Sequence, residues 1–186
     1  MPSLLSAAEH SHLILVDLQS RLLAAMPEPE RSAMLKATKL LARAAGLLEI
    51  PVTATEQYPK GLGATDPEVL EVLPGASRRF GKTAFSCCEA EGLRPSLEVT
   101  GRRQVVMAGV EAHVCVLQSA LDLTALGFRV FVVEDAVCSR EPAHKRNALE
   151  RLRQSGVIIS NAESVVFEWL TDAAHPQFKT LAAMIR

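Results

Sequence analysis

Short apolar runs of strand length recur along the chain, and segments with helical periodicity separate them. The clearest runs cover residues 13–16, 105–108 and 130–133. Runs this short, without a polar residue at every second position, are typical of strands that are buried on both faces of a parallel sheet. Residues 31–48 instead place leucines and alanines on one face of a helix. This alternation predicts an α/β fold, in which helices cover both faces of an open parallel sheet.

Length and composition exclude several classes of protein. At 186 residues with 48% hydrophobic content, the chain is expected to form a single domain over residues 1–186. The formal net charge of -1 and the aromatic content of 4% argue against a nucleic-acid partner. No apolar run approaches the roughly 18 residues of a membrane span, and the amino terminus does not resemble a signal peptide. We therefore expect a cytoplasmic location, no membrane partner and a small-molecule substrate.

The stretch from Gly109 to Cys115, with the sequence GVEAHVC, joins the strand of residues 105–108 to a helix. A thiol in the first turn of a helix lies near the positive end of the backbone dipole, which favours a thiolate. Backbone amides at the same helix end could also hold the oxyanion of a carbonyl that the thiolate attacks. Cys115 is therefore a candidate nucleophile. The alternative is that Cys115 is a small buried apolar residue, as most free cysteines are.

Two charged residues are predicted to lie at the same edge of the sheet as Cys115. Asp17 directly follows the strand of residues 13–16, and Lys82 lies in a predicted short strand over residues 79–85. Side chains at the carboxyl ends of parallel strands face a shared ligand crevice. From position alone, Asp17 is equally well explained as a helix or turn cap, and Lys82 as a solvated surface lysine.

The sequence contains no pattern that indicates a metal or nucleotide site. None of the five histidines form a pair with i, i+4 spacing, which zinc-binding helices often use. His10 and His12 begin the first strand and therefore lie far from its carboxyl end. The glycines of residues 61–63 do not form a phosphate-binding fingerprint, and no Walker A sequence occurs. We therefore expect neither a metal nor another cofactor.

Taken together, the segment 17–19, Lys82 and the segment 109–115 resemble the isochorismatase-like cysteine hydrolase superfamily over essentially the whole chain. The resemblance implies a Rossmann-like, three-layer αβα fold with six parallel strands. It also implies an Asp-Lys-Cys triad in this chain order. In that triad Asp17 is the acid–base residue, Lys82 is the lysine and Cys115 is the nucleophile.

Two further segments, residues 55–63 and 175–179, resemble one branch of this superfamily, the isochorismatase domain-containing 1 and 2 proteins. The resemblance also implies a cis peptide bond between Val110 and Glu111. That bond would turn the Glu111 amide inward beside the Cys115 amide, so that both amides form an oxyanion hole.

Gln19 and Tyr58 lie in the matching segments and are expected to bind the substrate. Nicotinamidases of this superfamily carry a metal-binding aspartate and histidines after the second strand, whereas this chain reads Glu56-Gln57-Tyr58 there. This difference from the nicotinamidases argues against a bound metal and against nicotinamide as the substrate. A cysteine nucleophile instead favours hydrolysis of a small amide, carbamoyl or related acyl compound through a thioester.

Three alternatives to this hydrolase remain open from the sequence. The chain could be a catalytically silent interaction module of the same fold, or it could hydrolyse an ether as an isochorismate hydrolase does. A thiol-redox protein would pair Cys115 with one of the other cysteines, which are Cys87, Cys88 and Cys138. No CxxC spacing occurs among them, and a chain of this length needs no disulfide, so reduced thiols are expected.

A homo-oligomer is expected, as in relatives of this superfamily. Apolar residues near the carboxyl terminus provide more surface than one small domain needs to bury, namely Phe167, Trp169, Phe178, Leu181 and Ile185. The alternative is that these side chains belong to an ordinary core.

Overall fold

The computed structural model describes residues 4–185, and a sheet of six parallel strands lies at its centre. In chain order the strands are β1 (Ser11–Val16), β2 (Val52–Gln57), β3 (Arg78–Lys82), β4 (Gln104–Val110), β5 (Arg129–Cys138) and β6 (Ile158–Ser160). Their order across the sheet is β3-β2-β1-β4-β5-β6. All neighbouring strands pair in parallel, which confirms the predicted sheet.

Helices of the described residues connect these strands. They are α1 (Ser20–Leu23), α2 (Glu30–Leu47), α3 (Pro59–Leu62), α4 (Pro67–Leu70), α5 (Leu93–Val99), α6 (Leu117–Ala125), α7 (Pro142–Gln154), α8 (Ala162–Leu170) and α9 (Phe178–Ile185). A π-helical turn over Ala112–Val116 leads into α6. None of the helices within residues 4–185 combines the length and the apolar character that a membrane span needs.

Alternate side chains of β1 point to opposite faces of the sheet, and both faces are buried. Leu13 and Leu15 belong to a core that α2, α8 and α9 cover, whereas Ile14 and Val16 belong to a second core beneath α5, α6 and α7. Because a strand turns successive side chains to opposite faces, a strand between two cores requires an uninterrupted apolar run. The observed three-layer architecture therefore follows from the apolar runs in the sequence.

The order of the strands reverses between β1 and β4, which places a crevice at the carboxyl edge of the sheet. From β1 the chain adds β2 and β3 on one side, and it then adds β4, β5 and β6 on the other. Loops that follow β1 and β4 therefore leave the sheet in different directions, and ligands of open α/β sheets bind between such loops. Asp17 follows β1 and Glu111 follows β4, so both predicted site segments lie at this crevice.

The apolar residues near the carboxyl terminus pack within the chain itself. Trp169 and Leu181 are 2% and 0% exposed, and the Trp169 indole donates a hydrogen bond of 3.0 Å to the Ser11 hydroxyl. Phe167, which is 39% exposed, contacts Phe178 with ring centroids 6.2 Å apart. Trp169 and Leu181 therefore belong to the ordinary core, whereas Phe167 is exposed and Phe178 and Ile185 are partly buried, so only part of the predicted surplus apolar surface remains.

Gly109 of β4 lies beside Val16 of β1 and has a φ of 122°. A Cβ atom at this position would lie 2.1 Å from the Val16 carbonyl oxygen, so that only a backbone shift could relieve the clash. We predict that Gly109→Ala lowers the free energy of unfolding in urea by about 3 kcal/mol or more. Gly75→Ala is the control, because nothing lies within 4 Å of a Cβ there, and its cost should stay below about 1 kcal/mol. Equal losses would contradict this account of the close approach.

Candidate active site

Asp17 leaves β1 in a backbone conformation that is uncommon for a residue with a side chain. Its φ is 53°, in the left-handed region, and its amide donates a hydrogen bond of 3.1 Å to the Thr55 carbonyl of β2. The Asp17 carboxylate is buried, with Oδ1 2.7 Å from the Thr55 hydroxyl and Oδ2 2.7 Å from the Lys82 ammonium. Each carboxylate oxygen thus has a donor, as a buried charge requires.

Lys82 is the last residue of β3 and reaches past β2 to Asp17. Its Nζ donates hydrogen bonds to Asp17 Oδ2 at 2.7 Å, to Gln57 Oε1 at 2.5 Å and to the Ala84 carbonyl at 3.3 Å. Both side chains of the ion pair are 0% exposed. Three acceptors around the ammonium replace the water that it loses on burial. The structure therefore brings two residues of the predicted triad into direct contact.

Cys115 lies in the π-helical turn that leads into α6. The amides on either side of it, those of Val114 and Val116, both donate to the Glu111 carbonyl, at 3.1 and 3.2 Å. Cys115 is 6% exposed, and its Sγ lies 3.8 Å from Gln57 Oε1. Because the same oxygen accepts the hydrogen bond from Lys82, Gln57 connects the thiol to the ion pair.

The surroundings of Cys115 stabilise the thiol rather than the thiolate. Burial and the negative charge of Asp17 raise the pKa of Cys115 to about 12, and the Lys82 ammonium offsets only part of this increase. The predicted preference for a thiolate is therefore wrong, because burial and the nearby Asp17 carboxylate favour the neutral thiol. The predicted role of Cys115 as a nucleophile therefore requires a base that removes the proton from Sγ.

Gln57 is the residue of this site that the sequence analysis missed. It ends β2, between the ends of β1 and β3. Its Oε1 accepts from Lys82 and Cys115, while its Nε2 donates a hydrogen bond of 2.7 Å to the Thr83 carbonyl. The bond to Thr83 fixes the orientation of the amide, so that oxygen faces the lysine. The sequence did contain a signal for Gln57, because it lies at the carboxyl end of a strand beside β1. Side chains at such ends face the ligand crevice, and the same rule identified Asp17.

Gln19 supports the site rather than lining it. Its side chain is 0% exposed. Its Oε1 accepts a hydrogen bond of 2.7 Å from the Gln57 amide, and its Nε2 donates to the carbonyls of Gln57 and Gly63 at 2.9 and 2.6 Å. The side-chain amide thus fixes the backbone that follows β2, and contact between Gln19 and a substrate stays a prediction.

Tyr58 is the predicted substrate-binding residue that remains accessible. It is 52% exposed, and its amide donates a hydrogen bond of 2.7 Å to the Lys82 carbonyl. Its ring lies against Gly61, where a Cβ atom would be 2.2 Å from the ring carbon Cε1. A larger residue at position 61 would therefore displace the ring. Contact between Tyr58 and a substrate stays a prediction.

The backbone and the side chain of Glu111 have separate surroundings. The peptide bond between Val110 and Glu111 is cis. The Glu111 amide lies between the end of β4 and the π-helical turn that contains Cys115. The carboxylate instead forms an ion pair of 3.0 Å with the exposed Arg140 guanidinium and accepts a hydrogen bond of 3.0 Å from the Arg140 amide. The amide, and not the side chain, is thus the part of Glu111 that suits the predicted role.

Potential metal ligands are not grouped in the part of the chain that the structure describes, where no three His, Cys, Asp or Glu side chains could hold one ion together. Glu56 lies in the segment that differs from nicotinamidases. Its carboxylate accepts hydrogen bonds from the amide and the hydroxyl of Thr65 at 2.9 and 2.8 Å. Glu56 therefore fixes the loop after β2.

Comparison with known proteins identifies the family of this chain. The isochorismatase domain matches residues 11–164. The chain belongs to the isochorismatase family. The resemblance inferred from the sequence is thereby confirmed, and relatives in its branch are similar over most of the chain. Isochorismatase domain-containing protein 1 from Danio rerio is 45% identical over 146 residues, which cover 78% of this chain and 51% of that protein. The chain thus spans about half the length of this relative.

Two further relatives are another isochorismatase domain-containing protein and a secreted effector. Isochorismatase domain-containing protein 2A from Mus musculus is 38% identical over 185 residues, which cover 96% of this chain and 84% of that protein. The secreted isochorismatase effector Isc1 from Phytophthora sojae (strain P6497) is 40% identical over 152 residues, which cover 80% of this chain and 72% of the effector.

Solved structures share the fold over nearly the whole chain. MAR1 ribonuclease from Caenorhabditis elegans has a TM-score of 0.90 and 34% identity, and the match covers 97% of this chain and 92% of that one. YcaC from Pseudomonas aeruginosa, with hexane-2,5-diol and covalent acrylamide, has a TM-score of 0.91 and 25% identity over 100% and 92% of the two chains. YcaC from Escherichia coli, an octameric hydrolase of unknown specificity, has a TM-score of 0.90 and 25% identity over 100% and 91%.

We predict that Asp17→Asn lowers the pKa of Cys115 from its value of about 12, because the substitution removes the carboxylate charge that helps to raise it. At about pH 9 the rate of Cys115 alkylation by iodoacetamide, measured by peptide mass spectrometry, should rise about tenfold or more, since one pKa unit changes the thiolate fraction tenfold. Thr55→Val is the control, because it removes a hydrogen bond to Asp17 but keeps the charge. An unchanged rate in Asp17→Asn would show that burial alone sets the pKa.

Proposed function

We propose that the protein is a cysteine hydrolase that cleaves a C–N or related acyl bond in a small amide or carbamoyl substrate. The observation that carries this proposal is the continuous contact from the Cys115 thiol through Gln57 Oε1 to the buried pair of Lys82 and Asp17. A nucleophile, a base and a cation therefore lie together at the carboxyl edge of the sheet, where open α/β folds bind small molecules.

In the proposed cycle, Asp17 takes the proton of the Cys115 thiol while the sulfur attacks the carbonyl carbon of the substrate. A C–S bond forms, and the carbonyl oxygen becomes an oxyanion that the amides of Glu111 and Cys115 stabilise. Asp17 then gives its proton to the leaving nitrogen, so that ammonia or an amine departs and a thioester remains. Water, which loses a proton to Asp17, attacks the thioester and releases the acid and the thiol.

The raised pKa of Cys115 makes the base necessary in this cycle. A thiol with a pKa of about 12 is almost fully protonated at neutral pH. Lys82 stabilises negative charge as it moves between the carboxylate and the sulfur, and Gln57 holds the ammonium and the thiol at one oxygen. YcaC from Pseudomonas aeruginosa carries covalent acrylamide, which supports a reactive nucleophile in that protein, because acrylamide adds to nucleophiles such as thiolates at its vinyl carbon.

The alternatives to a cysteine hydrolase give Cys115 a different role. An interaction module of this fold would not require turnover, and an isochorismate-type ether hydrolase would use Asp17 on water without a thioester. Redox chemistry would join Cys115 to a second thiol in a disulfide. The cysteines of the described residues are instead all free thiols, and all are buried. The contact of the thiol with the charged pair through Gln57 Oε1 favours the hydrolase.

The hydrolase is further proposed to be a homo-oligomer. Support comes from YcaC of Escherichia coli, which is an octameric hydrolase, and not from the carboxyl-terminal apolar residues. Its cytoplasmic location stays a prediction, because one relative is a secreted effector.

A panel of small amides, carbamoyl compounds and ureas tests the proposed reaction, with isochorismate and an RNA oligonucleotide as further members. RNA is included because the Caenorhabditis elegans neighbour is a ribonuclease. We predict turnover of an amide or carbamoyl compound, no turnover by Cys115→Ala, and a loss of about 10²–10⁴-fold in kcat for Asp17→Asn, since that is the usual contribution of a general base. Cys88→Ala, which removes another buried thiol, should retain full activity.

A double variant tests whether Asp17 and Cys115 act together or independently. Asp17→Asn in a Cys115→Ala background should cost little beyond Cys115→Ala alone, because residues that act as one unit are not additive. Near-normal turnover by Cys115→Ala together with an inactive Asp17→Asn would contradict the thioester and indicate that Asp17 acts directly on water or an ether. Folded protein that turns over no member of the panel would favour the interaction module.

A further inference from the structure

The segment that follows β5 contacts the turn that carries Cys115. Strands β4 and β5 pair in parallel to their ends, where Val110 lies opposite Cys138. Both chains therefore leave the sheet at the same edge, and residues 139–140 lie beside residues 111–113. This segment takes no part in the proposed cycle, and its contacts with the turn raise the question of what it does there.

Arg140 holds the Glu111 carboxylate through both its backbone and its side chain. The Arg140 amide donates a hydrogen bond of 3.0 Å to Glu111 Oε2, and Arg140 Nε lies 3.0 Å from Oε2 and 3.2 Å from Oε1. The Glu111 side chain is 13% exposed, whereas that of Arg140 is 61% exposed. A mostly buried carboxylate with charge-assisted hydrogen bonds is held more firmly than one in an exposed ion pair.

The backbone that carries Arg140 is itself anchored by the preceding residue. Ser139 is 1% exposed, and its hydroxyl oxygen lies 3.0 Å from His113 Nδ1. The His113 ring also contacts the ring of His144 in α7, with centroids 4.7 Å apart. The segment after β5 is therefore joined to the turn at two positions, and Arg140 has a fixed base from which to hold Glu111.

Glu111 connects Arg140 to the turn around Cys115. Its carbonyl accepts hydrogen bonds of 3.1 and 3.2 Å from the amides of Val114 and Val116, which are the residues on either side of Cys115. The bond from Val116 spans five residues, as in a π-helix, and single turns of this kind are rare and frequent at functional sites. A displacement of Glu111 would therefore move the turn, and Cys115 with it.

We propose that Arg140 is a positioning residue of the hydrolase. By holding the Glu111 side chain, Arg140 fixes the backbone from Glu111 to Cys115, and with it the two amides assigned to the oxyanion. Such donors stabilise a transition state because they are already aimed at the place where the charge develops. Arg140 acts through Glu111 and not on the reacting atoms. This inference rests on the proposed function, because the oxyanion belongs to the thioester mechanism.

Amide hydrogen exchange of Val114 and Val116, followed by NMR in the full chain, tests whether Arg140 fixes the turn. Arg140→Ala should raise both exchange rates about fivefold or more, because the turn opens more often without the ion pair. Arg140→Lys keeps a cation and should cause a smaller increase. Arg153→Ala is the matched control, since Arg153 forms an exposed ion pair of the same 3.0 Å with Glu134, and it should leave both rates unchanged.

Turnover of an active amide separates positioning from a merely structural role. Arg140→Ala should lower kcat about tenfold or more and change KM less than about twofold, because misplaced oxyanion donors weaken binding of the transition state and not of the substrate. Arg140→Lys should recover part of the lost kcat, and Arg153→Ala should keep the kcat of the unmodified chain.

Exchange rates that stay the same in Arg140→Ala, or that rise equally in Arg153→Ala, overturn the proposal. A higher KM with an unchanged kcat also overturns it, because Arg140 would then act on substrate binding. The exchange measurement needs no substrate. If no amide or carbamoyl compound is turned over, the proposed function fails, whereas the exchange rates still decide whether Arg140 holds the turn around Cys115.

Discussion

The buried ion pair between Asp17 and Lys82 is the interaction on which the rest of the site depends. Both side chains are fully buried, and loss of one partner from such a pair costs on the order of 3–5 kcal/mol because the other charge remains unpaired. The pair joins the ends of β1 and β3 past β2. Thr55 and Gln57 of β2 supply the hydrogen bonds that each charge still needs. The parallel order of these three strands is therefore what makes the charged site possible.

The charge of Asp17 affects its two neighbours differently. It accepts a hydrogen bond of 2.7 Å from the buried Lys82 ammonium, and together with burial it raises the pKa of Cys115 to about 12. Cys115 is consequently a protonated thiol at rest. In the proposed reaction the proton moves from sulfur to the carboxylate as the C–S bond forms, and Lys82 remains beside the carboxylate. In this proposal Asp17, Lys82 and Cys115 carry out acid–base catalysis and nucleophilic attack as one coupled group, and not as separate residues.

The sequence predicts the architecture because a strand between two cores has no polar face, so its apolar run identifies it. The place of Asp17 follows from the end of such a strand. The place of Lys82 does not, because β3 is a mostly exposed edge strand without an apolar run. The protonation of Cys115 does not follow, because a rule for helix starts considers only neighbours along the chain, whereas burial and Asp17 arise from tertiary packing. The hydrogen bonds of Gln19 and Gln57 do not follow from the sequence for a related reason. The partners of a side-chain amide are defined only when β1, β2 and β3 lie side by side.

Mass spectrometry of acid-quenched turnover most directly tests whether Cys115 forms a thioester. The account predicts that, during turnover of an active amide, the unmodified chain or the slower Asp17→Asn variant gains the mass of the acyl group. Peptide mapping should place that mass on Cys115, and hydroxylamine should remove it, as it cleaves thioesters. Product formation without any adduct in either protein, or an acyl group on another residue, would contradict the central claim.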